Sequence, residues 1–288
     1  MKVAIQASPQ QSGIELANWN WKVVREFIQQ RFRRQLCRSS CLNYLHRLGF
    51  VIKRPKKLLL KANKEKREAF IALYHDLSVG GVAEKAGIFF IDEAHFRADV
   101  DLRGKWVLKG EPALVGSSSP SLGEKATYYS GVCLETGEVE SMEVTENCTA
   151  ETSVAFLRQL RSRYAGRLIV IWDNGPAHHG DAIREYLTTP GLNLRLVALP
   201  GYSPDFNSDE AIWDWIREEV TANVCLGTKE KVKDKVNHFF HGLTERTDEV
   251  KKRCRTILQA KADQFVLTSD SALPPVSNVN PILALVYW

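Results

Sequence analysis

Residues 199–219 read LPGYSPDFNSDEAIWDWIREE, and the change of chemistry halfway along this stretch decides the fold. The first half is turn-forming: Pro200, Gly201, Ser203, Pro204, Asp205 and Asn207 all favour bends. The second half has helical spacing, with Ile212, Trp213 and Ile216 on one apolar side. Ser208 stands where a helix cap belongs. Asp209 and Glu210 fall in the first turn, where carboxylates meet the positive end of the helix dipole. An apolar run, residues 194–199, leads in as a strand. The pattern predicts a strand end and a rigid helix start that together present a carboxylate. Taken alone, such acids need do no more than complement the dipole.

Two other stretches give the acids a second meaning. Residues 87–93, GIFFIDE, and 167–174, RLIVIWDN, are apolar runs that end in an acid, the pattern of buried strands. Carboxylates at the ends of three core elements can converge at one edge of a sheet. Converging carboxylates repel one another unless a divalent cation sits among them, and hard oxygen donors suit Mg²⁺ or Mn²⁺.

The residues that carry a family likeness are Asp92-Glu93 after an apolar strand; Trp172-Asp173-Asn174-Gly175 with His178; and Leu199-Pro200, Tyr202-Ser203-Pro204-Asp205, Asn207, Glu210 and Trp213. Together they resemble the DDE transposases of bacterial insertion sequences in the mariner superfamily, part of the retroviral-integrase-like group. The resemblance covers residues 15–265, and its last motif is the specific one. It implies an α/β, ribonuclease-H-like mixed sheet with flanking helices, preceded by a small helix-turn-helix or winged-helix module. It implies a metal-dependent enzyme that cuts and joins DNA strands at transposon ends, with Asp92, Asp173 and Glu210 as the catalytic, metal-binding triad. Two Mg²⁺ (or Mn²⁺) ions are expected, Asp92 bridging both and Asp173 and Glu210 each holding one. Glu93, Asn174, His178 and Asn207 are expected around the triad, with Asp205 a turn-former. The partners implied are double-stranded DNA, as transposon terminal repeats and target, and a second copy of the chain on that DNA. Two departures stand out: Gly201 replaces a usual Pro, and Ser208-Asp209 replaces a usual Pro and aliphatic pair. Asp209 and Glu210 therefore compete as third ligand, and the offsets from Asn207 and Trp213 favour Glu210.

Composition is that of a globular protein, with 44% hydrophobic and 25% charged residues in 288. No apolar run reaches membrane-spanning length and no signal peptide opens the chain, which suggests a cytoplasmic, nucleoid-associated protein. Six scattered cysteines read as free thiols: Cys37 and Cys41 are one helical turn apart, but no second pair completes a zinc site. The net charge of +5 is uneven. Residues 1–67 hold 16 Lys and Arg against Glu15, Glu26 and Glu65, a net +13, while the remainder has 23 bases and 31 acids, a net −8. A basic head on an acidic body points to a polyanion partner for the head.

The head is expected to run over residues 1–54. Residues 1–14 show no period and are expected to lack fixed structure. A helix is predicted over 20–32, from the stripe Trp21, Val24, Phe27, Ile28 and Phe32. A second begins at a Ser39 cap, carries Leu42, Leu45 and Leu48, and closes at Gly49. Residues 50–53 are a candidate wing. The DNA-binding candidates are Arg38, Ser40, Asn43, His46, Arg47, Lys53 and Arg54. Residues 55–85 read as a basic linker and connecting helix, 86–265 as the catalytic domain and 266–288 as an irregular tail.

Within the catalytic domain the predicted strands are 87–92, a short one at 105–108, 128–134, 138–144, 168–173 and 194–199. The predicted helices are 150–164, 181–187, one from Ser208, 232–240 and 245–259. Trp106, Trp172, Trp213 and Trp215 are expected to pack. Related transposases carry two helix-turn-helix units where this chain has room for one, so the chain is expected to be the downstream part of a split or truncated transposase, served by an upstream fragment. Three rival readings remain: a catalytically inactive transposase-derived DNA-binding protein, a ribonuclease-H-like nuclease on structured nucleic acid, and a metal-free hydrolase with paired carboxylates.

Overall fold

The computed structural model describes residues 1–53, 61–84, 86–118, 124–145 and 147–269. The chain forms two compact units, Met1–Leu58 and Leu59–Trp288. In the first lie α1 (Lys2–Gln6), a 3₁₀ turn (Pro9–Ser12), α2 (Trp21–Phe32) and α3 (Arg38–Arg47). Residues 1–14 are thus ordered, against expectation. Ile5 and Ile14 are buried with Val23, Val24, Phe27, Ile28 and Cys41 in one small core. Two apolar residues nine positions apart mark no helical or strand period, so the pattern does not show in the sequence.

Helix α2 starts where the Asn20 side chain accepts hydrogen bonds from the Lys22 and Val23 amides. Helix α3 starts earlier than expected, with Cys37 at the cap, because the Ser39 hydroxyl turns to the Cys37 thiol at 3.1 Å. Gly49 ends the helix with φ +84°, a conformation that favours glycine. Residues 50–53 form no strand, so the expected wing is absent from the described part of this segment. Arg54 lies outside the described residues.

The second unit opens with α4 (Lys64–Glu84), followed by β1 (Gly87–Arg97), β2 (Lys125–Cys133), β3 (Val139–Val144), α5 (Ala150–Arg163), β4 (Leu168–Trp172), α6 (Asp181–Leu187) and β5 (Leu194–Ala198). Then come α7 (Glu210–Ile216), α8 (Lys229–Leu243), α9 (Thr247–Arg253) and α10 (Ile257–Ser269). The five strands lie in the order β3-β2-β1-β4-β5. Strands β1, β2 and β3 pair antiparallel as a meander, while β4 and β5 run parallel to β1. The parallel strands are reached through α5 and α6, the crossovers such pairing requires.

Each face of the sheet has its own core. Phe89, Ile91, Tyr129, Val170 and Trp172 pack with α5 residues Phe156, Leu157 and Leu160 on one side. Phe90, Phe96, Tyr128, Ile169 and Ile171 pack with α4, α7, α8 and α10 on the other. Burial on both faces explains the unbroken apolar runs of β1 and β4. Gly131 fits this packing by necessity: a Cβ there would stand 2.8 Å from the Ile91 Cγ2.

Four expectations change. Residues 105–108 form no strand, and Trp106 is 100% exposed rather than packed. Its neighbours Lys105 and Lys109 break the apolar pattern, and β1 finds its partner in β2 instead. Strand β1 continues past Asp92 to Arg97, because Ala94 and Phe96 keep every second side chain in the core. The expected helix 245–259 is two helices: the Gln259 side chain accepts from the Thr256 amide at 2.7 Å and starts α10 afresh. Finally, Ser208 does not cap α7. Asp209 occupies the cap position, and Ser208 is buried, accepting from Gln259 Nε2 at 3.2 Å.

Candidate active site

Asp92 and Asp173 meet because of strand register. Strands β1 and β4 run parallel with Phe90 opposite Ile171, so two residues on, Asp92, in the middle of β1, stands level with Asp173, just past the carboxyl end of β4. Strand β5 ends beside them, its last residues Val197 and Ala198 level with Ile171 and Trp172. The turn that follows brings α7 back over this end. Asp92, Asp173 and Glu210 line one cleft of about 520 Å³, together with Asn174, Gly175, Asn207 and residues 199–204.

The turn is pinned to the sheet. Asn207 Nδ2 donates to the Ile91 carbonyl at 3.2 Å, one residue before Asp92, and Asn207 Oδ1 accepts from the Asp209 amide at 3.2 Å. Asn174 Nδ2 donates to the Leu199 carbonyl at 3.0 Å, tying the ends of β4 and β5 together. Both asparagines hold backbone.

Asp209 and Glu210 point to different places. Asp209 is 0% exposed, and its Oδ2 accepts from the Ser130 hydroxyl at 2.5 Å. Ser130 is paired with Asp92 across β1 and β2. Glu210 faces the cleft. Neither Ser130 nor the inward turn of Asp209 was anticipated; the available signal was a serine inside the apolar strand YYSGV.

His178 is buried, stacked on Trp172 with ring centroids 4.2 Å apart and planes 8° from parallel. Its Nε2 lies 2.8 Å from Glu93 Oε1 and its Nδ1 2.9 Å from Asp173 Oδ1. Burial opposes charge on this ring, but the Asp173 and Glu93 carboxylates outweigh it and hold the imidazolium to a pKa of about 10. The His178 hydrogen bond in turn keeps Asp173 below the usual carboxylate range, against the effect of burial. The donor atoms of Glu93, Asp173 and His178 lie within 4.8 Å of one another. Both ring nitrogens of His178 thus face carboxylates, and the ring bridges Glu93 and Asp173.

Asp92 is pushed well above its ordinary value, first by burial and then by Glu210 and Glu93. Glu210 is also raised, mainly by burial, with Asp214 and Asp173 adding and Arg217 opposing. Asp209 is raised well above its ordinary value by its burial.

The His178 shift gives a signed expectation. A histidine raised in the folded state contributes stability that is complete below its unfolded pKa, about 6.5, and is lost as pH rises through the folded one. In EDTA the melting temperature should fall between about pH 6.5 and pH 10, and His178→Gln should flatten that slope. Each kcal/mol corresponds to about 2–4 °C in a domain of this size. An unchanged slope in the variant would show that another group titrates.

In the head, the Trp21 ring has the guanidinium of Arg25 at 5.2 Å, and Arg38 and the Lys22 ammonium each at 5.9 Å. Arg38, Asn43, His46, Arg47 and Lys53 are exposed and Ser40 is half-buried.

A five-stranded mixed sheet gathers carboxylates where β1 passes the end of β4, in a chain with a basic helical head, an arrangement suited to phosphoryl transfer on nucleic acid. A family model described as DDE superfamily endonuclease matches residues 87–233, and one described as winged helix-turn helix matches residues 16–74. The chain belongs to the DDE superfamily endonucleases. A relative from Shigella sonnei, the insertion element IS630 uncharacterized 39 kDa protein, is 23% identical over 243 residues, 83% of this chain and 69% of its own length. Among solved structures, the Mos1 mariner paired end complex with Mn matches with a TM-score of 0.59 at 17% identity, covering 88% of this chain and 76% of that one. The pre-cleavage Mos1 transpososome matches with a TM-score of 0.58 at 16% identity, covering 96% and 80%. At these identities the likeness is one of fold, and it carries the ribonuclease-H-like sheet. Among the described residues, no helix is long and apolar enough to cross a membrane.

Proposed function

We propose that the chain cuts and joins DNA at transposon ends with Asp92, Asp173 and Glu210 as its catalytic carboxylates. The observation that carries this reading is their shared cleft, with two of the three held above their ordinary pKa. A set of crowded, all-oxygen donors fits Mg²⁺ or Mn²⁺. Two such ions, when bound, would stabilise charge on the attacking and departing oxygens of the phosphodiester. The remaining roles belong to the protein. His178 fixes one oxygen of Asp173, and Glu93 fixes the far side of His178. Asn174 and Asn207 keep the strand ends and the turn at their spacing. Asp209, buried against Ser130, sets the start of α7 and leaves Glu210 to the cleft.

The head, residues 1–54, is assigned to DNA binding, with residues 86–265 as the catalytic domain. Two copies are assigned to two transposon ends, a reading supported by the paired-end complex described for the Mos1 transposase. Incubation with candidate end DNA and Mg²⁺ or Mn²⁺, followed by mapping of the cut positions, tests the reading. Cleavage in EDTA equal to that with metal would overturn it. Light scattering of the complex on end DNA tests the pairing: a 1:1 complex under cleaving conditions would remove the dimer.

Binding to duplex DNA should weaken steeply with salt. Each phosphate neutralised contributes about −0.9 to the slope of log K against log salt. The net +13 of residues 1–67 is the source of that slope. Residues 59–288 alone should bind duplex weakly; affinity equal to the whole chain in an anisotropy titration would move the DNA site out of the head.

A further inference from the structure

We propose that Arg67 is a positioning residue for Glu210, acting through the turn that carries it. The inference rests on the reading of Glu210 as a catalytic carboxylate. Arg67 lies in the first turn of α4, far in sequence from the site, yet its guanidinium forks onto Asp205: Nη1 to Oδ1 at 2.9 Å and Nη2 to Oδ2 at 2.7 Å. The same guanidinium lies over the Phe206 ring at 3.9 Å from its centroid. One turn on, Phe70 stacks against Phe206 at 6.2 Å with planes 24° apart. Asp205 and Phe206 sit in the 3₁₀ turn Pro204–Phe206, four residues before Glu210.

This clamp has a geometric purpose that its energy alone does not explain. Asp205 is 52% exposed, and an ion pair so open to water contributes at most about 1 kcal/mol to stability. A two-pronged planar fork with a ring packed on its face fixes direction, however, which a single ammonium cannot do. The turn is already held to β1 by Asn207 and to β2 by Asp209. Those bonds hold it from the sheet side. Arg67 and Phe70 add a third tie, to α4, so the turn that leads into α7 is fixed to β1, β2 and α4 together. A carboxylate displaced by about 1 Å in such a site can lose on the order of a hundredfold in rate.

The test uses the full chain with Arg67→Ala, Arg67→Lys, Asp205→Ala and the exchanged pair Arg67→Asp/Asp205→Arg. Amide hydrogen exchange of residues 203–213 is the primary readout, in metal-free protein. It should quicken in Arg67→Ala and Asp205→Ala, quicken less in Arg67→Lys, and leave the α5 and α8 segments unchanged. The exchanged pair should recover part of the protection. With end DNA and Mn²⁺, cleavage at saturating DNA should fall about ten- to a hundredfold in the two alanine variants, with DNA affinity kept. The double alanine variant should be no worse than either single. Unchanged exchange at 203–213 in Arg67→Ala overturns the proposal whatever the activity. So does quickening spread evenly over the whole second unit, which would mean a general loss of stability. If the exchange changes as expected but the wild-type chain cleaves nothing, the positioning stands and the assignment of the activity fails instead.

Discussion

Alanine at Asp92, Asp173 or Glu210 is expected to lower strand cleavage about 10³-fold or more, with DNA binding kept. Each carboxylate is assigned to hold charge that the transition state depends on, and loss of one such group removes several kcal/mol of stabilisation. Folding should respond in the opposite direction at Asp92. Its pKa is raised in the folded state by burial and by Glu210 and Glu93. A carboxyl raised on folding favours the fold at low pH, and that contribution is lost as pH rises from the unfolded value, about 3.9, through the folded one. At neutral pH the Asp92 carboxyl therefore opposes folding relative to an uncharged side chain, and Asp92→Asn should melt higher than the wild type in EDTA. Added Mg²⁺ should raise the melting temperature of the wild type and much less that of the variant, since a ligand stabilises only the protein that binds it. Melting of Asp92→Asn at or below the wild type at pH 7 would mean that the carboxylates are not crowded. Cleavage surviving in Glu210→Ala but lost in Asp209→Ala would show that the buried acid, and not the one lining the cleft, is the third ligand.

The second large effect concerns Trp213, one turn after Glu210. Its indole is 1% exposed, edge-on to Phe240 at 6.1 Å and tilted against Phe96 at 5.8 Å. Trp213→Ala should cost about 3–5 kcal/mol, the usual loss for a large aromatic taken from a packed core. Among the described residues the buried indole Nε1 has no acceptor, an arrangement that costs about 1–3 kcal/mol. Trp213→Phe removes that orphan donor while leaving a smaller void. It should therefore lose much less than the alanine variant in a urea titration. A loss in Trp213→Phe in full proportion to the volume removed, relative to the alanine variant, would show that ring volume alone matters and that the unpaired N–H costs nothing.

The sequence by itself determined the elements that bury a periodic face and the acids that follow their apolar runs. Two unbroken apolar runs, 87–91 and 168–172, carried enough hydrophobic pattern to be read as central strands. The turn chemistry of residues 200–207 was as plain, because proline and glycine constrain the backbone locally. The hairpin around Gly137, with φ +78°, was legible for the same reason. What the sequence did not show depends on neighbours remote along the chain. Ile5 and Ile14 order the first residues only because α2 supplies a surface for them to cover. Trp106 looked like a core residue and lies in water, since no partner strand reaches it. Asp209 and Glu210 are adjacent acids with the same local chemistry. Only the serine brought opposite Asp92 on β2 turns one of them inward and leaves the other to the cleft. His178 finds two carboxylates, Glu93 within β1 and Asp173 just past β4, and Arg67 finds Asp205 across 138 residues of chain. Periodicity and turn propensity are properties of a few consecutive residues, whereas burial, charge pairing and carboxylate direction are set by packing, which only the tertiary structure decided.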